Sequence, residues 1–116
     1  MSGRVLGFRH AARARALRGV LALLDECDAD RNHPRQVARL ALSLFDELRP
    51  LHGLGARERF WLECAALLHD IGRIKGESGH HKVALQIILH SPLLSFDLTT
   101  RRIVGCIARY HRKALP

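Results

Sequence analysis

Aromatic residues make up only 5% of this 116-residue chain: four Phe, one Trp and one Tyr. With rings this few, and with Phe45 and Trp61 reading as core, no platform for stacking nucleic-acid bases is expected. Any nucleic acid would be held through backbone phosphate. Cysteine is sparse as well. Cys27, Cys64 and Cys106 are odd in number, widely spaced and each set in an apolar helical pattern. That excludes a disulfide framework or a CxxC site and predicts small buried hydrophobes in a reducing cytosol. No apolar run approaches the roughly 18 residues of a membrane span. The best leader candidate, Val20 to Leu24 behind Arg-rich residues, is short and has no small-residue cleavage site. A soluble, cytoplasmic protein with no membrane partner is expected. The length leaves room for one domain and excludes a two-domain enzyme.

Acidic residues are missing from both ends. Residues 1–18 carry Arg4, Arg9, Arg13, Arg15 and Arg18 without one acid, and residues 101–116 carry Arg101, Arg102, Arg109, Arg112 and Lys113 without one acid. Each end contributes +5 and the middle nets −2, which gives the total of +8. Such an excess on a small domain points to an anionic partner, phosphate first. Histidine, by contrast, is plentiful at eight residues, and imidazoles in that number need a reason.

Helical periodicity dominates, and no stretch alternates long enough to demand a strand. The pattern predicts a helix from about His10 to Cys27 and a second from Asn32 or His33 to about Arg49 with Pro34 in its first turn. Pro50, Gly53 and Gly55 break the chain. A third helix runs from Ala56 to about Asp70, with Gly72 suited to a left-handed cap, and a fourth from His80 to about His90 before Pro92. The fifth spans about Thr99 to Arg112 with Asp97 or Thr99 as N-cap. The expected architecture is all-α, a compact bundle of about five or six helices in one domain. Its core covers roughly residues 30–116 and follows an Arg-rich N-terminal helix.

A polar residue on a buried face calls for a partner. His33 shares a stripe with Val37, Leu40 and Leu44, and His69 shares one with Leu62, Ala65 and Ala66, with Asp70 following at the last turn. On the fourth helix Lys82, Gln86 and His90 form a polar stripe, which leaves His81, and slightly less so His80, nearest the apolar face. On the fifth, Arg101, Arg102, Arg109 and Arg112 share one arc, and His111 belongs with Ile103, Val104 and Ile107 on the other. Any one of these histidines alone reads as a core or boundary residue satisfied by a carbonyl or a cap. Together they outline a metal site. Mixed imidazole and carboxylate donors suit Zn, Fe, Mn or Ni, and open coordination positions suit hydrolysis. His10, His52 and His90 are assigned no role.

The order His33, then Ala65-Ala66-Leu67-Leu68-His69-Asp70-Ile71-Gly72, resembles the HD superfamily of metal-dependent phosphohydrolases. Four further strings narrow the resemblance: Leu42-Ser43-Leu44-Phe45-Asp46-Glu47-Leu48, His52-Gly53-Leu54, Gly79-His80-His81-Lys82 and Ala108-Arg109-Tyr110-His111-Arg112-Lys113. They look like the HD-type C-terminal domain of the exopolyphosphatase and guanosine-pentaphosphate phosphatase family, whose phosphatase chemistry belongs to an N-terminal actin-like domain. The resemblance implies that His33, His69 and Asp70 are metal ligands, with His81, His111 or His80 completing the coordination. The superfamily's last Asp has no match, because Asp97 reads as a helix cap. Val83 stands where relatives often carry another His.

The leading expectation is a phosphohydrolase that acts on a nucleotide, an alarmone or another phosphoester by metal-activated water. The cofactor is a divalent ion, Mn, Fe, Zn, Ni or Mg. Asp70 and Lys82 are the catalytic candidates, and Arg73, Lys82, Arg109, Arg112 and Lys113 the phosphate-binding ones. The alternative is a non-catalytic accessory module that binds polyphosphate, RNA or a partner protein through its basic ends. A third role, oligomerisation, falls to the Arg-rich first helix.

Overall fold

The computed structural model describes residues 2–27, 31–71 and 80–110, with side chains described over 11–27, 31–71 and 83–109. Six helices follow in order: α1 (Ser2–Glu26), α2 (Asn32–Glu47), α3 (Arg49–His52), α4 (Ala56–Leu68), α5 (His80–His90) and α6 (Leu98–Tyr110). The described residues contain no strand, so the all-α expectation holds. None of these helices is long and apolar enough to cross a membrane.

Helix α4 is central and packs on α2, α6 and α1, while α5 and α6 pair as a hairpin. Its second half shows why. Cys64, Ala65, Ala66, Leu67 and Leu68 are consecutive and all buried, so this stretch is covered on every side and carries no solvent stripe. Val20, Leu23 and Leu24 of α1, Ile88 of α5 and Val104 of α6 join the same core. Each fully buried Leu or Ile contributes about 2 kcal/mol. Burial also pushes the Cys64 thiol up to about 12, which makes it an inert core residue as expected. Cys27 is only half-buried and Cys106 is exposed, which corrects the buried reading for these two.

Local chemistry sets the helix ends. Helix α2 ends at Glu47, close to its predicted end, and the expected break holds one short helix, α3, set apart because Pro50 in its first turn cannot continue the ladder of α2. Helix α3 closes on Gly53, whose φ of 63° is left-handed and whose N–H donates to the Arg49 carbonyl at 2.9 Å. Helix α4 opens with the Gly55 N–H donating to Glu58 Oε1 at 2.8 Å. Asp97 caps α6 by accepting the Thr100 N–H at 2.7 Å, as the sequence predicts.

Two helices are rotated from their predicted registers. On α2, Pro34 and Ala38 are buried, while Leu40 and Leu44, expected inside, are 63% and 57% exposed. Small side chains on α2 (Ala38, Ala41) and α4 (Ala65, Ala66) permit a close approach of the two axes. The leucines are left as an outer ridge that continues through Leu48 and Leu51. On α6 the buried positions are Val104, Gly105 and Ala108, so the inner face centres on Arg101 rather than on Ile103 and Ile107.

Arg101 faces inward because the α5–α6 connection needs its donors. Pro92 has no N–H for the Ile88 carbonyl, and the Leu93 N–H donates to Ser91 Oγ at 3.2 Å. Arg101 Nη1 instead donates to the carbonyls of Ile88 (3.1 Å), Leu89 (3.4 Å) and Ser91 (2.7 Å). Its Nη2 reaches Leu94 O at 2.6 Å and its Nε reaches Phe96 O at 3.1 Å. One of the basic residues at the C-terminal end is therefore structural. Helix α1 crosses this same connection at Gly19, where an added Cβ would lie 2.4 Å from the Leu93 carbonyl oxygen.

Candidate metal centre

Helix α4 ends inside the core, and its last turn delivers two adjacent polar side chains to one spot. His69 is the C-cap residue of α4 and Asp70 follows it. Their side chains are 12% and 18% exposed. His33 comes from the first turn of α2, a helix that packs against α4. Its side chain is 62% exposed, so it stands at the rim of the pair and does not point into the core.

The three side chains converge. His69 Nε2 lies 3.2 Å from Asp70 Oδ2 and His33 Nε2 lies 3.9 Å from the same oxygen. The two imidazole rings are 6.0 Å apart, centroid to centroid. One donor atom from each residue falls within 4.8 Å of the other two. Among the described residues, no other group of three His, Cys, Asp or Glu side chains meets in this way.

The donor chemistry fits a divalent cation. His69 Nδ1 lies 2.6 Å from the Ala66 carbonyl oxygen, and a carbonyl only accepts, so Nδ1 carries the hydrogen. In the neutral ring Nε2 then presents a lone pair, and it faces a carboxylate oxygen. Two electron-rich atoms at this distance suit a cation between them. A backbone carbonyl that orients the second nitrogen of a ligating His is the usual support for such a site. Two donors on one ion at about 2.1 Å each stand at most about 4.2 Å apart. The trio, with its donor atoms within 4.8 Å of one another, stands close to that limit.

His33, His69 and Asp70 are thus together, as the sequence reading expects. His80, His81 and Lys82 fall in the first turn of α5, but their side chains, with Arg73, His111, Arg112 and Lys113, lie outside the described residues. Arg109 is half-buried in the last turn of α6. His52, given no role from sequence, is structural: its Nε2 lies 2.8 Å from the Phe45 carbonyl and its Nδ1 accepts the Leu54 N–H at 2.8 Å. Asp97 is spent on its helix cap, which agrees with its exclusion as a ligand.

The sequence profile of the Ppx/GppA phosphatase, domain III, matches residues 15–116, a span that runs from α1 through His33, His69 and Asp70 to the basic C-terminal end, and the chain belongs to that family.

Proposed function

We propose that this chain is an HD-type, metal-dependent phosphohydrolase domain acting on a phosphoester or phosphoanhydride of a nucleotide, an alarmone or a related phosphorylated metabolite. The observation that carries the reading is the convergence of His33, His69 and Asp70 within 4.8 Å from two helices. Membership in a family related to polyphosphate and ppGpp phosphatases supports phosphate as the group acted on. His33, His69 and Asp70 hold a divalent ion (Mn, Fe, Zn, Ni or Mg), with His80, His81 or His111 as further ligands. Such an ion, when bound, supplies Lewis acidity and a water acidified toward neutral pH.

The chain's own groups do the rest. The His69–Ala66 hydrogen bond fixes one imidazole so that its donor nitrogen is presented without a reorientation cost. Asp70 adds the negative charge and accepts a proton. Lys82 and the cations Arg73, Arg109, Arg112 and Lys113 neutralise phosphate oxygens, Arg by paired contacts and Lys as a point charge.

The test is elemental analysis and phosphate release on protein purified without chelator and then titrated with Mn. His69→Ala and Asp70→Ala are expected to lose both metal and phosphate release while keeping the helical circular dichroism. Retention of full metal by both variants overturns the reading. The accessory-module alternative draws support from one fact, that the matching profile is the third domain of a phosphatase. Binding of polyphosphate that weakens steeply with salt, with no phosphate released in the presence of metal, selects it instead.

A further inference from the structure

The geometry points to a second binding site at the other end of α4: a cleft for a planar heteroaromatic base that carries a phosphate, as a nucleotide does. The cleft lies between α1, the start of α4 and the segment that leads into α6, and measures about 450 Å³. Small-molecule sites commonly run from about 300 to 1,000 Å³. Its walls include Phe60, Trp61 and Phe96, three of the chain's few aromatic residues, together with Arg13 and Arg57. All three rings are half-buried and pack against the core while lining the cleft.

The two arginines are placed over two of the rings. Arg57 Cζ is 5.0 Å from the Trp61 ring centroid and Arg13 Cζ is 6.0 Å from that of Phe60. Both fall within the range of cation–π attraction. Arg57 is 75% exposed, yet it is held on a second side by Glu58, Nε to Oε2 at 3.0 Å. Glu58 is itself fixed by the Gly55 N–H. The outcome is a cleft in which each guanidinium rests on a ring, and each group selects one half of the ligand once the guanidinium turns from the ring to the phosphate and the base takes its place. A base stacked on a ring gains about 1–3 kcal/mol, and a guanidinium takes phosphate oxygens in paired, charge-assisted contacts.

The remaining polar groups set the orientation. Asp97, Thr99 and Thr100 line the cleft as well. The Asp97 carboxylate accepts the Thr100 N–H at 2.7 Å, and its negative charge repels phosphate. The phosphate therefore lies on the Arg13 and Arg57 side, while the hydroxyls and carboxylate meet ribose or base donors. The site is independent of the metal centre. Trp61 precedes His69 by about two turns of α4, roughly 12 Å of helix.

Trp61 is the single tryptophan, so intrinsic fluorescence of the full chain reads the cleft directly. The probes are AMP, adenosine, ribose 5-phosphate and a short oligoadenylate, with excitation at the red edge of tryptophan absorption. AMP is expected to quench Trp61 saturably, with adenosine and ribose 5-phosphate each at least about tenfold weaker, since each keeps only one half of the recognition. Arg57→Gln is expected to weaken AMP about fivefold to tenfold with unchanged circular dichroism, and Arg13→Gln to act likewise. Because the site stands apart from the metal ligands, His69→Ala leaves the quench as it is. An oligoadenylate that binds more tightly than AMP per site identifies a strand as the source of the nucleotide, and equal affinity identifies the free nucleotide. No saturable quench by either AMP or oligoadenylate up to about 5 mM overturns the inference. So does a quench that neither arginine substitution changes.

Discussion

The two ends of α4 carry polar chemistry in opposite ways. At the C-terminal end, adjacent residues on a buried helix terminus, His69 and Asp70, supply two of three converging donors, and one residue of a neighbouring helix supplies the third. At the N-terminal end, the cleft is assembled from α1, α4 and the approach to α6, and each contributor taken alone is an ordinary surface Arg or core-edge aromatic. The first kind of site is written along the chain, because a His-Asp pair after an apolar run has few structural uses. The second kind exists only once helices are packed. No spacing in the sequence relates Arg13 to Phe60 or Phe96, and the low aromatic content argues against stacking until the rings are seen gathered on one side.

The largest expected effect separates the two ends outright. His69→Ala or Asp70→Ala should lower divalent-metal affinity by at least about a hundredfold, measured by calorimetric titration with Mn, and leave Trp61 fluorescence unchanged. A joint loss would mean that the two ends are coupled through α4. His33→Ala should cost less, about tenfold, because that imidazole is mostly exposed and joins the pair at its rim.

The same contrast explains which parts of the fold were legible. Caps and breaks are local, so Pro50, Gly53, Asp97 and the α5 span His80–His90 could be read from adjacent residues, whereas α1 starts at Ser2 and not near His10. Helix rotation is not local. Hydropathy turns Leu40 and Leu44 inward, but packing density rewards the close approach that alanines allow, and the buried face of α2 centres on Pro34 and Ala38 instead. On α6 the charge of Arg101 argues for solvent. Its guanidinium nevertheless answers carbonyls that Pro92 and a tight turn leave without N–H partners.

Arg101→Met keeps much of the aliphatic stem and removes every donor to the five carbonyls. A loss of about 3 kcal/mol in urea unfolding is expected. The Phe96 wall of the cleft should loosen with it, while the metal centre stays formed below the unfolding transition. Gly19→Ala should cost somewhat less, about 2 kcal/mol, because its Cβ meets the backbone carbonyl of Leu93 and α1 has to shift. Since α1 carries Arg13, nucleotide affinity should fall in this variant and metal affinity should not. Equal losses at both ends would show that α1 seats the whole bundle and not the cleft alone.

The smallest effect carries a sign that can be checked. The Gly55 N–H, and after it Arg57, hold the Glu58 carboxyl below its ordinary 4.5. A carboxylate favoured in the folded chain adds stability that is fully present above the unfolded value and disappears as pH falls through the lower folded one. Glu58→Gln should therefore lower the melting temperature slightly at neutral pH, and the gap between variant and wild type should close as pH drops below about 4. Nucleotide quenching should follow the same curve, because protonated Glu58 no longer holds Arg57 by charge over Trp61. A quench that stays constant while the stability gap closes would mean that the carboxylate caps α4 without positioning Arg57, and the cationic rim would then rest on the Trp61 ring alone.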